Sequence, residues 1–222
     1  MIPARGGSKR FPGKNLARFE GKPLVAHAVD VARRSRLFDR VVVSTEDRDI
    51  ARVAARAGAT VHRRSRRLAS DSARVVDVCL DVLDDLTRRG ERFGAFCVLL
   101  PTSPMRTARH VRESWALLDR RRADVVMSVV EFPHVPWWAV REARGVLRLA
   151  FGPRLLRSRS RLPRLYRHNG VALWARTDGF RRAKEFYGRR VVAYHMDRES
   201  SVDVDHPLDL EFATFLRRGR KA

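Results

Sequence analysis

The feature that most constrains the fold is an alternation of two hydrophobic patterns along the chain. Residues 41–44 are a short β-branched run, typical of a buried strand in a parallel sheet. Residues 47–58 follow with apolar side chains at helical spacing and a glycine at the end. Residues 59–62 then return to a strand pattern. Strands that alternate with helices predict an α/β fold with a mostly parallel sheet.

The same alternation continues through most of the remaining sequence. We predict further helices over residues 75–86, 111–118 and 208–216. We predict further strands over residues 96–100, 125–130, 171–174, 191–194 and 202–204. No internal repeat and no low-complexity linker interrupts this order, so residues 1–222 are interpreted as a single domain.

Residues 132–165 break the pattern. Four prolines lie there among two tryptophans and many arginines, and Gly145 predicts a hairpin. We interpret the segment as an excursion from the sheet, either a lid or a dimerisation arm. Trp137 and Trp138 would then be packing anchors for a partner subunit rather than a stacking platform.

Composition excludes several classes of protein. Of the 222 residues, 44% are hydrophobic, which is enough for a sizeable core and excludes a wholly disordered chain. No stretch approaches the roughly 18 to 20 continuous apolar residues of a membrane-spanning helix. No apolar segment of a signal peptide follows the first residues. We therefore expect a cytoplasmic protein with no membrane partner, in which Cys79 and Cys97 are buried and reduced.

The net charge of +22 is unusual, since 47 basic residues face 25 acidic ones and nearly all the basic residues are arginines. Such a charge favours polyanionic partners or anionic substrates. The arginine clusters at 63–67, 120–122 and 217–220 lack the interleaved aromatic residues of a single-strand binding groove. Nucleic acid is therefore not the expected partner.

Residues 2–16 form a glycine-rich loop with many cations. Gly6 and Gly7 permit close backbone approach, so that free N–H groups can cradle phosphate oxygens. Arg5, Lys9 and Lys14 add fixed cations for a polyphosphate. The spacing of the glycines and the residue after Lys14 exclude a Walker A loop. A basic surface turn would explain the glycines but not the concentration of cations.

Asp203 and Asp205 are two residues apart, so on a strand both carboxylates project from one face and can share one hard cation. The alternative is that they are surface or N-capping residues before the helix predicted at residues 208–216. Spacing leaves both interpretations open.

The loop at residues 2–16 closely resembles the N-terminal signature of the acylneuraminate cytidylyltransferases, the CMP-sialic acid synthetase family. Other matches follow in the family's order. They are Val43-Ser44-Thr45-Glu46-Asp47, Arg63-Arg64, Leu68-Ala69-Ser70-Asp71, Pro101-Thr102-Ser103-Pro104-Met105-Arg106, Asn169-Gly170 and Ser201-Val202-Asp203-Val204-Asp205. The resemblance covers essentially the whole chain.

The resemblance implies a three-layer, Rossmann-like nucleotidyltransferase fold with an inserted dimerisation arm, and a homodimer. It implies transfer of CMP from CTP to the anomeric hydroxyl of a nine-carbon 2-keto acid, a nonulosonic acid, with release of pyrophosphate. It also implies a need for Mg²⁺, with Asp203 and Asp205 as the metal ligands.

The resemblance also assigns residues to each part of the site. The residues expected to bind the nucleotide are Arg5, Gly6, Gly7, Ser8, Lys9, Lys14, Asn15, Arg64, Asp71 and Ala73. The residues expected to face the acceptor are Leu100, Thr102, Ser103, Arg159, Arg167 and Asn169. Catalytic roles are expected for Arg5, Lys14, Arg159 and Arg167. Either Arg159 or Arg167 could clamp the acceptor's carboxylate bidentately.

The sequence departs from the family pattern at three places. Fewer apolar residues precede Pro3 than the family's first strand has, so we expect the polypeptide to start upstream. Leu100 stands where the family commonly has a glutamine facing the acceptor, and Ser160 replaces another glutamine. The acceptor therefore stays open, with an eight-carbon keto acid as one alternative. A non-catalytic protein that binds nucleotide or RNA and retains the fold is the other.

Overall fold

The computed structural model describes residues 1–134, 136–153 and 163–219. The helices are α1 (Leu24–Ser35), α2 (Arg48–Arg56), α3 (Val75–Arg88), α4 (Ala108–Arg120), α5 (Thr177–Ala183) and α6 (Pro207–Gly219). The strands are β1 (Ile2–Pro3), β2 (Arg18–Phe19), β3 (Lys22–Pro23), β4 (Val42–Thr45), β5 (Thr60–Arg63), β6 (Ala95–Val98), β7 (Val125–Glu131), β8 (Val140–Ala143), β9 (Val146–Leu149), β10 (Tyr166–Arg176) and β11 (Val191–His195). Among the described helices, none is long and apolar enough to cross a membrane.

Within the described residues, seven strands lie side by side in the order β5-β4-β1-β6-β10-β7-β11. β1 pairs with β4 in parallel. It is joined to β6 because the N–H of Leu99 donates to the carbonyl of Met1 at 3.0 Å and the amino group of Met1 donates to the carbonyl of Cys97 at 2.6 Å. β10 is antiparallel to both of its neighbours, whereas β11 is parallel to β7. The predicted mostly parallel sheet is confirmed.

Helices cover both faces of this sheet, because alternate residues of a strand point to opposite sides. On one side Val43, Cys97 and Val126 pack with apolar residues of α1, α2 and α4. On the other side Phe96 and Val98 pack with apolar residues of α3 and α5. The predicted three-layer α/β architecture is therefore confirmed, and both cysteines are buried as expected.

Most predicted elements are present within a few residues of their predicted bounds, but α1 and α5 lie in segments for which no helix is predicted. The hairpin predicted at Gly145 is confirmed: β8 pairs with β9, and Arg144 and Gly145 both have positive φ, as a type I′ turn requires. The strand predicted at residues 202–204 is wrong. That segment belongs to no strand, and the N–H of Val204 donates instead to the carbonyl of Thr102 at 2.8 Å.

A buried arginine holds the end of β6 against β10. β10 carries a bulge in which Gly170 has a φ of 70°, and a Cβ there would lie 2.7 Å from Cδ1 of Leu100. Arg106 is 4% exposed and donates to the carbonyls of Leu100 and Val171, each at 2.8 Å. Burial lowers the pKa of Arg106 to about 10, so the guanidinium stays charged at neutral pH. The arginine of the Pro-Thr-Ser-Pro-Met-Arg motif thus acts on the backbone around the site.

We predict that Arg106→Ala lowers the free energy of unfolding by about 3 kcal/mol or more, because the carbonyls of Leu100 and Val171 lose a charged hydrogen-bond donor together. Urea denaturation followed by circular dichroism measures this change. Arg109→Ala is the control, since exposed Arg109 pairs with Glu113 at 3.8 Å and should cost less than about 0.5 kcal/mol. Equal losses in the two variants would contradict the assignment.

Candidate active site

A cavity of about 630 Å³ opens where the central parallel strands end. The segments that follow β1, β5 and β6 all reach it, as expected for ligand sites at the carboxyl edge of a parallel sheet. Its walls are formed by Pro3, Arg5, Ser8, Lys9, Arg10, Lys14, Asn15, Arg64, Leu68, Ser70, Asp71, Ala73, Val75, Val78, Leu100, Pro101, Thr102, Asp203 and Asp205. Segments far apart in the sequence thus converge on one polar space.

The basic loop after β1 is held in shape by contacts of its own backbone. Asn15 is 8% exposed, and its Nδ2 donates to the carbonyl of Arg5 at 2.8 Å, which ties the two ends of the loop together. The turn before Asn15 needs Gly13, whose φ is 68°. At Gly6 a Cβ would lie 2.6 Å from Oδ2 of Asp47, so this position also requires glycine. The glycines therefore let the loop fold tightly at the edge of the sheet.

Two cations of this loop converge on Asp71. Nη1 of Arg5 lies 2.8 Å from Oδ1 of Asp71, and Nζ of Lys9 lies 2.6 Å from Oδ2. Hydrogen bonds from Lys9 and Arg5 hold the pKa of Asp71 below its usual value. The carboxylate of Asp71 therefore balances two cations of the loop after β1.

Asp205 makes a second arrangement of the same kind. Nζ of Lys14 lies 2.8 Å from its Oδ1, and Nη1 of Arg10 lies 2.9 Å from its Oδ2. The hydrogen bond from Lys14 lowers the pKa of Asp205, and the nearby charge of Arg10 acts in the same direction. Lys14 is largely buried, with 13% of its side chain exposed, so its charge is directed into the cavity region rather than to bulk solvent.

Asp203 lines the same cavity, but its pKa is shifted in the opposite direction from those of Asp71 and Asp205. Burial raises its pKa, and the charge of Asp205 raises it further, while a hydrogen bond with Thr102 opposes the shift. A carboxylate held in this way gains from a nearby cation. No group of three or more metal-ligating side chains occurs within the described residues, so a cation here would rest on two protein carboxylates.

Arg64 forms a rigid part of the cavity wall. It is 7% exposed, and its Nη2 donates to the carbonyl of Ser44 at 2.6 Å while its Nε donates to Oγ of Ser44 at 3.1 Å. Burial lowers its pKa below the usual arginine value. β4 and the end of β5 together therefore fix the direction of this guanidinium.

The structure brings most of the sequence-predicted residues together in the cavity wall. The predicted residues among them are Arg5, Ser8, Lys9, Lys14, Asn15, Arg64, Asp71, Ala73, Leu100, Thr102, Asp203 and Asp205. Gly6 and Gly7 belong to the loop without lining the cavity, and the N–H of Gly6 donates to Oε1 of Glu46 at 2.7 Å. Their roles in binding stay predictions.

Several residues predicted to face the acceptor lie elsewhere. Ser103 and Asn169 are each 1% exposed, and Oγ of Ser103 donates to the carbonyl of Asn169 at 3.2 Å. Oδ1 of Asn169 accepts from Oγ of Ser128 at 2.6 Å, and Nδ2 of Asn169 donates to Oγ of Ser201 at 2.8 Å. These bonds hold the Asn169 side chain in the protein interior, outside the cavity wall. Arg167 is on β10 and acts electrostatically on Asp203 rather than lining the cavity. Arg159 lies outside the described residues.

A smaller cavity of about 170 Å³ adjoins the first, and Val75 and Leu100 line both. Most of its other walls are apolar, with Met127, Leu173 and Phe186 among them. Leu100 therefore stands at the boundary between a charged space and an apolar one.

Arg10 and the apolar wall residues Leu68, Val75 and Val78 are not identified from the sequence as part of the site. Arg10 lies in the predicted loop, but its pairing with Asp205 spans most of the chain and has no local signal. Leu68, Val75 and Val78 look like core residues of a helix or turn, and tertiary packing puts them at the cavity.

Comparisons with known proteins place these features in context. A family model described as cytidylyltransferase matches residues 1–213. An N-acylneuraminate cytidylyltransferase of Streptococcus agalactiae serotype III (strain NEM316) is 32% identical over 208 residues, covering 92% of this chain and 49% of that protein. A CMP-N,N'-diacetyllegionaminic acid synthase of Legionella pneumophila is 33% identical over 219 residues, covering 94% of this chain and 91% of that protein. The chain thus spans about half the length of the N-acylneuraminate cytidylyltransferases it matches.

Two solved structures share the fold. A CMP:2-keto-3-deoxy-manno-octonic acid synthetase complexed with CTP matches with a TM-score of 0.69 and 18% identity, covering 99% of this chain and 97% of that one. A 4-diphosphocytidyl-2C-methyl-D-erythritol synthase from Anaerococcus prevotii matches with a TM-score of 0.64 and 12% identity, covering 98% of each chain. At these identities the similarity concerns the fold.

Proposed function

Because the chain belongs to the cytidylyltransferase family, we propose that it transfers CMP from CTP to the anomeric hydroxyl of a nonulosonic acid and releases pyrophosphate. The observation that carries this proposal is one cavity that combines the cations of the basic loop with Asp203 and Asp205. The names of the relatives support the choice of CTP and of a sialic-acid-like acceptor.

The cation pairs suit a triphosphate. Arg5 and Lys9 hold Asp71, and Lys14 and Arg10 hold Asp205, so four cations are already positioned by two carboxylates. A triphosphate carries more negative charge than either carboxylate and can replace it as the partner of these cations. The protein would then bind the nucleotide by an exchange of ionic partners.

Asp203 and Asp205 fit Mg²⁺ as ligands. They supply carboxylate oxygens, which Mg²⁺ prefers, and a site with two protein carboxylates leaves room for water and phosphate oxygens. The raised pKa of Asp203 shows a carboxylate that a cation would stabilise in its charged form. When bound, the metal would neutralise charge that develops on the phosphates.

The residues of the chain would position the reacting groups. Arg5, Lys9 and Lys14 would hold the triphosphate, and Arg64 would fix the nucleotide from the other wall. In the reaction the anomeric oxygen bonds to the α-phosphorus, its proton passes to a base, and the bond from that phosphorus to the pyrophosphate oxygen breaks. Because the loop is tied by Asn15, these cations need little reorganisation as the leaving group gains charge.

The acceptor would lie beyond Leu100 and Thr102, toward the smaller apolar cavity. Arg159 and Arg167 stay our candidates for its carboxylate. Ser103 and Asn169 would not contact the acceptor; they would fix the backbone between β6 and β10.

A homodimer would use the hairpin of β8 and β9. Val140, Val146 and Leu147 on this hairpin are each more than half exposed, which is costly for apolar side chains in a monomer. Trp138 and Phe151, next to the hairpin, are also exposed. We infer that these side chains pack against a second copy of the chain.

The direct test is release of pyrophosphate by the purified protein with Mg²⁺, CTP and a panel of acids. The panel contains N-acetylneuraminate, N,N'-diacetyllegionaminate and the eight-carbon acid 3-deoxy-manno-octulosonate. Release with a nine-carbon acid supports the proposal, whereas release with the eight-carbon acid favours the neighbouring substrate class. No release with any acid, in the presence of tight CTP binding, would indicate a nucleotide-binding protein without this activity.

We predict that Asp203→Asn and Asp205→Asn each lower kcat by about a hundredfold or more, because each removes a charged ligand from the catalytic cation. Steady-state kinetics at saturating Mg²⁺ measure the effect. Asp119→Asn is the matched control, since Asp119 pairs with Arg176 and does not line the cavity. Near-normal turnover of either cavity variant would contradict the metal assignment.

We predict that N-acetylneuraminate is a poor substrate and that Leu100→Gln raises its kcat/KM about tenfold, or about 1.4 kcal/mol of transition-state binding. A glutamine amide could hydrogen-bond an acceptor hydroxyl or N-acyl group, and a leucine cannot. The control is Leu100→Met, which keeps size and apolarity and should not improve this substrate. The idea fails if the unmodified protein prefers N-acetylneuraminate to every other acid tested.

A further inference from the structure

A line of polar side-chain contacts runs from α3 to the cavity wall. Ser44 on β4 lies opposite His62 on β5 in the parallel ladder, so their side chains share one face of the sheet. Oγ of Ser44 lies 3.0 Å from Nδ1 of His62, and Nε2 of His62 lies 3.4 Å from Oδ2 of Asp81. Nε of Arg64 donates to the same Oγ of Ser44 at 3.1 Å. Asp81 is thus connected to Arg64 through two buried side chains.

The donors and acceptors of this line are consistent when His62 is neutral. His62 is 6% exposed, and burial is the largest cause that lowers its pKa. A neutral ring that carries its hydrogen on Nε2, the nitrogen that faces Asp81 at 3.4 Å, leaves Nδ1 as an acceptor for the Ser44 hydroxyl. The Ser44 oxygen is then free to accept from Nε of Arg64.

The charges that face His62 come from two elements. Asp81 and Asp85 lie on α3, Arg89 directly follows α3, and Arg64 follows β5. The two carboxylates raise the pKa of His62, whereas Arg64 and Arg89 lower it. Together with burial, the balance keeps the neutral ring favoured at pH 7.

We propose that His62 and Asp81 are positioning residues for Arg64, so that the affinity of the cavity for nucleotide falls when His62 is protonated. The proposal rests on the proposed function, because it takes CTP as the ligand. Neither residue lines the cavity, and both would act through Ser44.

Protonation of His62 changes the line in two ways. Nδ1 becomes a donor, so the Ser44 oxygen faces two N–H groups and the Ser44 hydroxyl hydrogen loses its acceptor. A second buried cation also appears beside the guanidinium of Arg64, where desolvation makes like charges costly. Both changes favour movement of Arg64 away from the position seen in the structure.

The test is the Kd of CTP at fixed Mg²⁺, measured by titration calorimetry from pH 8 to pH 5 for the wild type and His62→Asn. Asparagine can offer its Oδ1 near the place of Nδ1 and does not titrate. The ratio of the two Kd values removes the titration of CTP itself, which both proteins share. We expect a ratio near one at pH 8. At one pH unit below the pKa of His62 about a tenth of the rings are neutral, so the ratio should reach about ten.

Three further variants separate positioning from a purely structural effect. Asp81→Asn removes a carboxylate that raises the pKa of His62, so the rise in Kd should move to lower pH. His62→Leu should weaken CTP binding at every pH with kcat at saturating CTP unchanged, and His62→Asn should restore it. His27→Asn is the control, because burial also lowers the pKa of His27 but it contacts the carbonyl of Phe19 away from the cavity.

A ratio that stays flat from pH 8 to pH 5, in proteins that bind CTP and remain folded, would overturn the proposal. So would an unchanged pH dependence in Asp81→Asn. Both outcomes leave the proposed function intact, because pyrophosphate release is measured separately. If no acid gives pyrophosphate release, the proposed transferase activity is wrong. The Kd of CTP then still tests whether His62 and Asp81 position Arg64.

Discussion

The ionic pairs between the basic loop and two aspartates are the interaction on which the site depends. Asp71 holds Arg5 and Lys9, and Asp205 holds Lys14 and Arg10. Without these carboxylates, several cations in one loop would repel each other and spread into solvent. The aspartates therefore hold the side chains of the loop cations in positions that suit a triphosphate, and they also compete with the triphosphate for these cations.

The sheet explains why these groups meet. β1, β4, β5 and β6 are parallel neighbours, so their carboxyl ends lie at one edge, and the segments that follow β1, β5 and β6 face one space. Arg106 fastens the segment after β6 to the bulge of β10, which brings the Leu100 region against the same space. The position of the cavity wall thus depends in part on a buried arginine that does not itself line the cavity.

Much of this could be predicted from the sequence, because hydrophobic periods and ordered motifs are local signals. The α/β class and the loop cations follow from them. The shared position of Asp203 and Asp205 is predicted from a strand that does not form there, and both residues still line one cavity. Contacts that depend on tertiary register could not be predicted. Ser44 and His62 meet because β4 and β5 pair in one particular register, and a slip of one residue would turn them to opposite faces. Residues 202–204 show the reverse error, since the two valines that flank Asp203 resemble a strand in the sequence but belong to no strand in the structure.

In the proposed mechanism a triphosphate replaces the aspartates as the partner of the loop cations. The most direct measurement is the Kd of CTP for the wild type and Asp205→Asn, with Mg²⁺ and with a chelator. Without metal, Asp205→Asn should bind CTP about fivefold more tightly, because Lys14 and Arg10 no longer have to leave a carboxylate before they hold the phosphates. With Mg²⁺ the order should reverse, because the variant lacks a metal ligand. Weaker binding by Asp205→Asn under both conditions would contradict the account.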